Sequence, residues 1–397
     1  MITFQRYAIL LRTPDLRTTL LASVVGRIPI GVAGLAILLF VQGKSGSFAQ
    51  AGAASALYVL GLAALAPFIG RAIDRLGPRP VLLAGAVVYP AALVALVLLV
   101  AYAADWWWIA ASALLAGAML PPITICMRAL FPRLLVDPGL LQTAYSVDSA
   151  LVETIFILGP ALTAAFVAFG YAGGAVLFAA ACAAVGGMIF MRSPAIRRWV
   201  PPVAPAKRRL LGPLRYPQLL ALYAATVMYS VAFGLFEVAV TAFAAAQGLP
   251  AAAGVILALA SVGSALGVLV YGSRDWAWPM ARQYLLAQLA MAAGLLALAP
   301  VANVYAFGLL SMVACAPMAP VIAVQSVLVS RLAPRAMLAE GFTWAATCLL
   351  GGISAGIAAG GILVEYWSPS WVLVTAAIAT AAAGIIAWLG LQGRAEG

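Results

Sequence analysis

The sequence predicts an all-α, polytopic membrane protein with twelve spans. Three observations carry that reading. Apolar residues make up 65% of the 397 residues and charged residues only 8%. Soluble domains carry about 25% charged residues, so lipid must act as solvent for most of this surface. The apolar residues come in long continuous runs, near the roughly 20 residues that cross a bilayer as a helix. A barrel would alternate apolar and polar residues instead. Of the 22 basic residues, 20 fall in alternate connecting segments, Lys44 falls alone on the other side, and Arg27 lies within the first run. Such asymmetry marks the cytoplasmic face.

In chain order, Arg6 and Arg12 precede the first run without a small-residue cleavage site. The N-terminus therefore reads as a retained cytoplasmic tail and not a removed signal. The first span covers about 16–41 and opens on the Pro14-Asp15 cap signal. The second covers about 48–69 and the third about 81–103. The fourth, 106–131, contains Pro121-Pro122, where missing N–H donors predict a kink. The fifth covers about 140–169 and the sixth 173–191. Residues 192–217 form the one long polar segment, with seven basic residues and repeated prolines. They divide the chain into an N-terminal bundle, 1–191, and a C-terminal bundle, 218–397. The seventh span covers about 218–246 and the eighth 251–271. The ninth ends near Pro300, and the last three cover about 304–330, 338–364 and 371–391. Trp106-Trp107-Trp108 and Tyr366-Trp367 fall at the outer boundaries, as interfacial aromatic belts do. Twelve spans leave both termini in the cytoplasm.

The second and third spans are joined by Gly70-Arg71-Ala72-Ile73-Asp74-Arg75-Leu76-Gly77-Pro78-Arg79-Pro80, read as a short polar turn. Asp74 adds little to the positive bias. It is available to pair with an arginine or to cap a neighbouring helix N-terminus, where the dipole favours negative charge. The spacing Gly-x-x-x-Asp-Arg-x-Gly-x-Arg, in this place between spans, resembles the signature loop of the major facilitator superfamily, in its bacterial drug- or metabolite-efflux-like branch. The resemblance implies two pseudo-symmetric six-helix bundles, the major facilitator fold, in a transporter whose halves rock about a substrate site near the midplane. Gly272, Asp275 and Arg282, ahead of Tyr284-Leu285-Leu286-Ala287, are a degraded echo of Gly70, Asp74 and Arg79 ahead of Val81-Leu82-Leu83-Ala84. Gly159-Pro160 is similar to the centre of the family's antiporter signature and implies a helix bend between the halves. Gly351-Gly352, Gly356 and Gly360-Gly361 put small residues at helical spacing, which favours tight helix packing.

Ionisable residues inside spans are costly and face a cavity or a partner. Here they are Arg27, Asp148, Glu153 and Glu237, with Arg128 and Glu340 nearer the cytoplasmic ends. Arg27 lies about 15 Å into its span at helical rise. Glu153 and Glu237 lie at comparable or greater depth, so Arg27 is expected to pair with one of them, either as an ion pair locking helices or as part of the cavity. Asp148 and Glu153 are about 140° apart around their helix and do not share a site. Asp74, Arg128, Asp148 and Glu340 are expected to form one cytoplasmic gating cluster with the signature segment. Tyr229, Gln325 and Tyr145 either line the cavity or pack.

Histidine is absent, which removes the usual metal ligand and the side chain that titrates near neutrality. Four cysteines, Cys126, Cys182, Cys315 and Cys348, lie in apolar runs without paired spacing. No cofactor or metal is expected. There is no phosphate-binding loop, so energy should come from protons carried by carboxylates. The net charge of +11 sits at span ends and is not a nucleic-acid signal. A membrane enzyme would need a nucleophile and base that the spans lack. The expected function is proton-coupled export of a small, amphipathic molecule by a monomer in the cytoplasmic membrane, in contact with lipid. Metabolite uptake and a non-transporting scaffold or receptor are the alternatives.

Overall fold

The computed structural model describes residues 5–12, 14–45, 48–169, 171–200, 212–249 and 252–391. Sixteen α-helices lie among them: α1 (Gln5–Arg12), α2 (Pro14–Ser45), α3 (Phe48–Leu76), α4 (Pro78–Ala101), α5 (Trp106–Ala118), α6 (Ile123–Leu134), α7 (Pro138–Ala168), α8 (Ala172–Arg192), α9 (Pro194–Arg197), α10 (Pro217–Ala246), α11 (Ala252–Gly272), α12 (Met280–Leu298), α13 (Val304–Ala314), α14 (Met318–Leu332), α15 (Leu338–Tyr366) and α16 (Pro369–Leu391). Twelve spans are long and apolar enough to cross a membrane. The fourth is built from α5 and α6, and the tenth from α13 and α14. No strand occurs among the described residues. The central part of the expected linker, 201–211, lies outside them.

Local chemistry sets many helix ends. Pro78, Pro138 and Pro194 stand at helix starts, where a missing N–H costs nothing. The Asp137 carboxylate accepts the Leu140 N–H at 2.7 Å to cap α7. Asn303 caps α13 through the Tyr305 and Ala306 N–H groups. Pro29, Pro67, Pro90 and Pro160 are absorbed inside continuous helices.

Three expectations need correction. The signature segment is not a polar turn. α3 stays helical through Arg71, Asp74 and Arg75, because nothing before Gly77 breaks it. The turn is Gly77 alone, at φ +81°, in the left-handed region that only glycine enters without cost. The kink at Pro121-Pro122 is a complete break, with Leu120–Pro122 non-helical. The tenth span is not one helix either. It breaks at Cys315–Pro317. The fourth and tenth spans hold the same place in the two repeats, so the paired breaks carry the internal symmetry into the backbone.

One hydrophobic core includes the basic ends of both halves, from Phe131 and Tyr145 through Phe342 and Tyr223. A second, separate core fills the opposite end of the N-terminal half alone, around Ala33, Tyr58, Tyr89 and Ala179. Within that half α2 packs on α8, α7 and α3. In the other half α10 packs on α15 and α16. Between halves, α3 and α6 meet α15, and α7 meets α11 and α14.

Candidate transport site

The seam between the halves is closed at the end that carries the signature segment. Asp74, fully buried near the end of α3, caps α15. Its two carboxylate oxygens accept the Ala339 N–H at 3.1 Å and the Glu340 N–H at 2.9 Å. A carboxylate there meets the positive end of the α15 dipole. Arg71, one turn earlier, donates to Glu340 Oε1 at 2.7 Å. Gly70 lies against Thr343 and the Ala339 carbonyl, so close that a Cβ would sit 2.5 Å from Thr343 Oγ1. On the other side of the seam the Thr143 hydroxyl donates to the Gly272 carbonyl at 2.9 Å. Tyr145 and Phe342 rings face each other 6.1 Å apart.

The deepest cross-half bond joins α7 to α11. Ser264 donates its hydroxyl to Glu153 Oε1 at 3.2 Å and accepts the Ala319 N–H at 3.0 Å. Ala319 stands in the first turn of α14, just past the break in the tenth span. One hydroxyl thus links a buried carboxylate to the opposite half's broken helix. Glu153 has no ion-pair partner among the described residues, and it is only 6% exposed. Among those residues, every hydrogen bond and ion pair between the halves lies between this bond and the signature end.

Beyond it the faces part. On α7, residues 142–146 and 148–149 are buried. Past Glu153 only Ile155, Gly159 and Thr163 stay covered, while Thr154, Phe156, Leu158 and Pro160 are exposed. α15 follows the same course, buried from Leu338 to Thr343 and largely open past Gly351.

A second polar network stays inside the N-terminal half. Arg27 is fully buried on α2, and its Nη1 lies 2.6 Å from Asp148 Oδ1. This is an ion pair by distance, yet none of Arg27's three nitrogens has an aligned hydrogen-bond partner. Asp148 Oδ2 accepts Arg128 Nε at 2.7 Å, and the Tyr145 hydroxyl donates to the Arg128 carbonyl at 2.9 Å. Two guanidinium groups thus share one carboxylate.

The expected pairing of Arg27 with Glu153 or Glu237 is therefore overturned. Side chains on a helix lean toward its N-terminus, and α2 begins at the basic end. Arg27 reaches down to Asp148 and not up to Glu153. The expected single gating cluster is in fact two. Asp74, Arg71 and Glu340 tie the halves together, whereas Arg128 and Asp148 belong to the Arg27 network. Asp148 and Glu153 have separate partners, Arg27 and Arg128 for the one and Ser264 for the other.

The remaining candidates divide. Glu237 is half-buried on α10, and its carboxylate has no partner among the described residues. Gln325 is buried, with Oε1 unpaired. Tyr229 and Tyr145 are packed in the core and do not line a cavity. The Tyr229 hydroxyl donates to the Met318 carbonyl at 3.3 Å. Arg75 and Arg79 are exposed. Gly159 packs on Gly31 of α2 within one half, not between halves, and α7 continues through Pro160. Gly352, Gly356 and Gly360 receive α10 at close range. Ser264, Thr143 and the role of Arg71 were missed, because a single hydroxyl in an apolar run does not disclose which helix it faces.

Residues 19–279 match the family model described as Major Facilitator Superfamily. No curated protein matches the sequence. Among solved structures, a bacterial homologue of the iron transporter ferroportin in an outward-facing state is similar at TM-score 0.77 and 16% identity, covering 94% of this chain and 98% of that one. The human organic anion transporter MFSD10 (TETRAN) is similar at TM-score 0.73 and 16% identity, over 94% and 99% of the two chains. The proton:xylose symporter XylE is similar at TM-score 0.74 and 13% identity, over 95% and 96%. At these identities the likeness is one of fold.

Proposed function

The chain belongs to the major facilitator superfamily, and from that premise we propose that it exports a small amphipathic molecule in exchange for protons by alternating access. Residues 1–191 and 218–397 are the rocking halves, and 192–217 joins them. The basic end is cytoplasmic by charge asymmetry, with both termini there and the protein in the cytoplasmic membrane. The closed seam then makes this an outward-facing arrangement.

The observation that carries the reading is Glu153, a buried carboxylate without a cation, held across the seam by Ser264. The charged and neutral forms of a carboxyl differ most in free energy when water is withdrawn from them. Opening or closing the seam around Glu153 changes its hydration, so proton binding and rocking become linked. Glu153 can lose its proton to one side and regain it from the other. Ser264 passes the change to α14 through Ala319.

Glu237 is the polar group for the substrate on the open side, and Gln325, buried on the closed side of Ala319 with its Oε1 unpaired, meets substrate once the basic end opens; the spans around them are mainly apolar. Such surroundings suit an amphipathic molecule better than a sugar. Asp74, Arg71, Glu340 and Gly70 form the cytoplasmic gate, Gly77 is its turn, and Arg75 and Arg79 hold it on the cytoplasmic side. Arg27, Asp148 and Arg128 brace α2, α6 and α7 as one body.

The test is flux in liposomes of the purified protein, with amphipathic dyes as probes and an imposed pH gradient. Inside-out protein should accumulate dye when the lumen is acidic and release protons as it does so. Dye movement that ignores the gradient and needs Na⁺ would overturn proton coupling. Dye moving together with protons would overturn export.

A further inference from the structure

We propose that the groove between α11 and α12 binds an anionic glycerophospholipid from the leaflet at the basic end. α11 and α12 both pack on α13 and α14 but hardly on each other. They leave a cavity of 560 Å³ above the break in the tenth span, a size typical of ligand pockets. Its walls are Leu266, Val270, Leu286, Ala290, Val313 and Pro317. Leu266, Val270 and Val313 are 49%, 50% and 68% exposed, so the groove opens to lipid along its length. From Gly263 to Tyr271 it runs about 12 Å at helical rise, enough for part of one acyl chain.

The mouth is different in kind. Tyr271 and Trp276 stack with centroids 5.5 Å apart. The Trp276 Nε1–H donates to the Tyr271 carbonyl at 3.0 Å. The Tyr271 hydroxyl donates to Gln283 Oε1, and Gln283 Nε2 to the Trp278 carbonyl, both at 2.6 Å. The aromatic rim is therefore held in place. Over it lie two exposed guanidinium groups, Arg274 at 5.2 Å from the Trp276 centroid and Arg282 at 5.3 Å from that of Trp278. Arg331 ends α14 at the same end of the bundle, and the connection from α11 to α12 holds Arg274 and one acid, Asp275, with Arg282 following in the first turn of α12, so that basic residues outnumber acidic ones there. Tryptophan and arginine at headgroup depth, above an apolar slot between helices, match an anionic headgroup with its acyl chain. The equivalent cleft of the N-terminal half, between α3 and α4, is only 270 Å³ and has no aromatic lining. The site is thus a property of one half and not of the repeat.

The experiment is native mass spectrometry of the full chain extracted from bilayers of equal phosphatidylglycerol and phosphatidylcholine. Retained phosphatidylglycerol should exceed phosphatidylcholine by about fivefold for each arginine engaged. R274Q/R282Q should bring the ratio near one with the total less changed. A290W, which fills the groove from an exposed position, should cut total retained lipid and spare the ratio of what remains. Thermal unfolding should show both variants folded. Equal retention of the two lipids by the native chain, an unchanged ratio in R274Q/R282Q, or undiminished lipid in A290W would each overturn the proposal.

Discussion

Glu153 and Ser264 sit 3.2 Å apart on opposite halves of the molecule, and among the described residues their hydrogen bond is the innermost one across the seam. On the outer side of it the helices separate; on the other side they are bonded. A titratable group at that boundary is placed to sense which way the halves have rocked.

Replacing Glu153 with Gln keeps an acceptor for Ser264 and removes the proton. Substrate exchange across liposomes should persist, while accumulation driven by a pH gradient should fall at least tenfold. Gradient-driven accumulation at the native level would remove Glu153 as the carrier. Glu237→Gln should weaken binding of cationic dyes and leave coupling intact, which separates the two carboxylates.

Asp74→Asn retains one acceptor for α15 but loses the charge at its N-terminus. Losing a cap costs about 1 kcal/mol, and losing the dipole interaction costs up to about 1 kcal/mol more. The closed seam should lose roughly five- to thirtyfold in population. Distance measurements between spin labels on α3 and α15 should show the basic end opening, with transport reduced and membrane insertion normal. Full activity with unchanged distances would count against the gate.

Asp148→Asn leaves two guanidinium groups without their shared carboxylate. Breaking a buried pair by removing one partner costs about 3–5 kcal/mol. The detergent-purified variant should melt well below the native protein, if it accumulates at all. Arg27→Met alone leaves Asp148 paired with Arg128, so it should be the milder lesion. The reverse order of melting temperatures would show that Arg27 is needed for more than neutralising Asp148.

Gly70→Ala places a methyl group against Thr343 and the Ala339 carbonyl. A shift of a few tenths of an ångström does not relieve such contacts, so the seam must part. Reactivity of a cysteine placed at Ala339 toward aqueous reagents should rise. Adding Thr343→Ala should restore part of the protection, since the carbonyl contact remains. Equal protection in native and Gly70→Ala proteins would show that α3 and α15 do not need this approach.

The twelve spans and the fitness of Asp74 to cap a neighbouring helix N-terminus were legible because each depends on local properties. Span length is a count of apolar residues. Asp74 stands out as an acid in a basic segment. Helix breaks were only half legible. Pro121-Pro122 announced one, whereas Pro317 looked no different from Pro29 or Pro160, which sit in continuous helices. Whether a proline kinks or breaks a span depends on which neighbours take up the freed carbonyls.

The pairings belonged to the tertiary structure. In a soluble protein a polar face tells which side of a helix looks outward. In lipid both the core face and the outer face are apolar, so that signal is lost. Arg27 could be placed at its depth but not aimed, and neither the pair Glu153–Ser264 nor the pair Arg71–Glu340 could be read from spacing. Only the rotation and crossing of packed helices, each residue turning the face by about 100°, brings those side chains together.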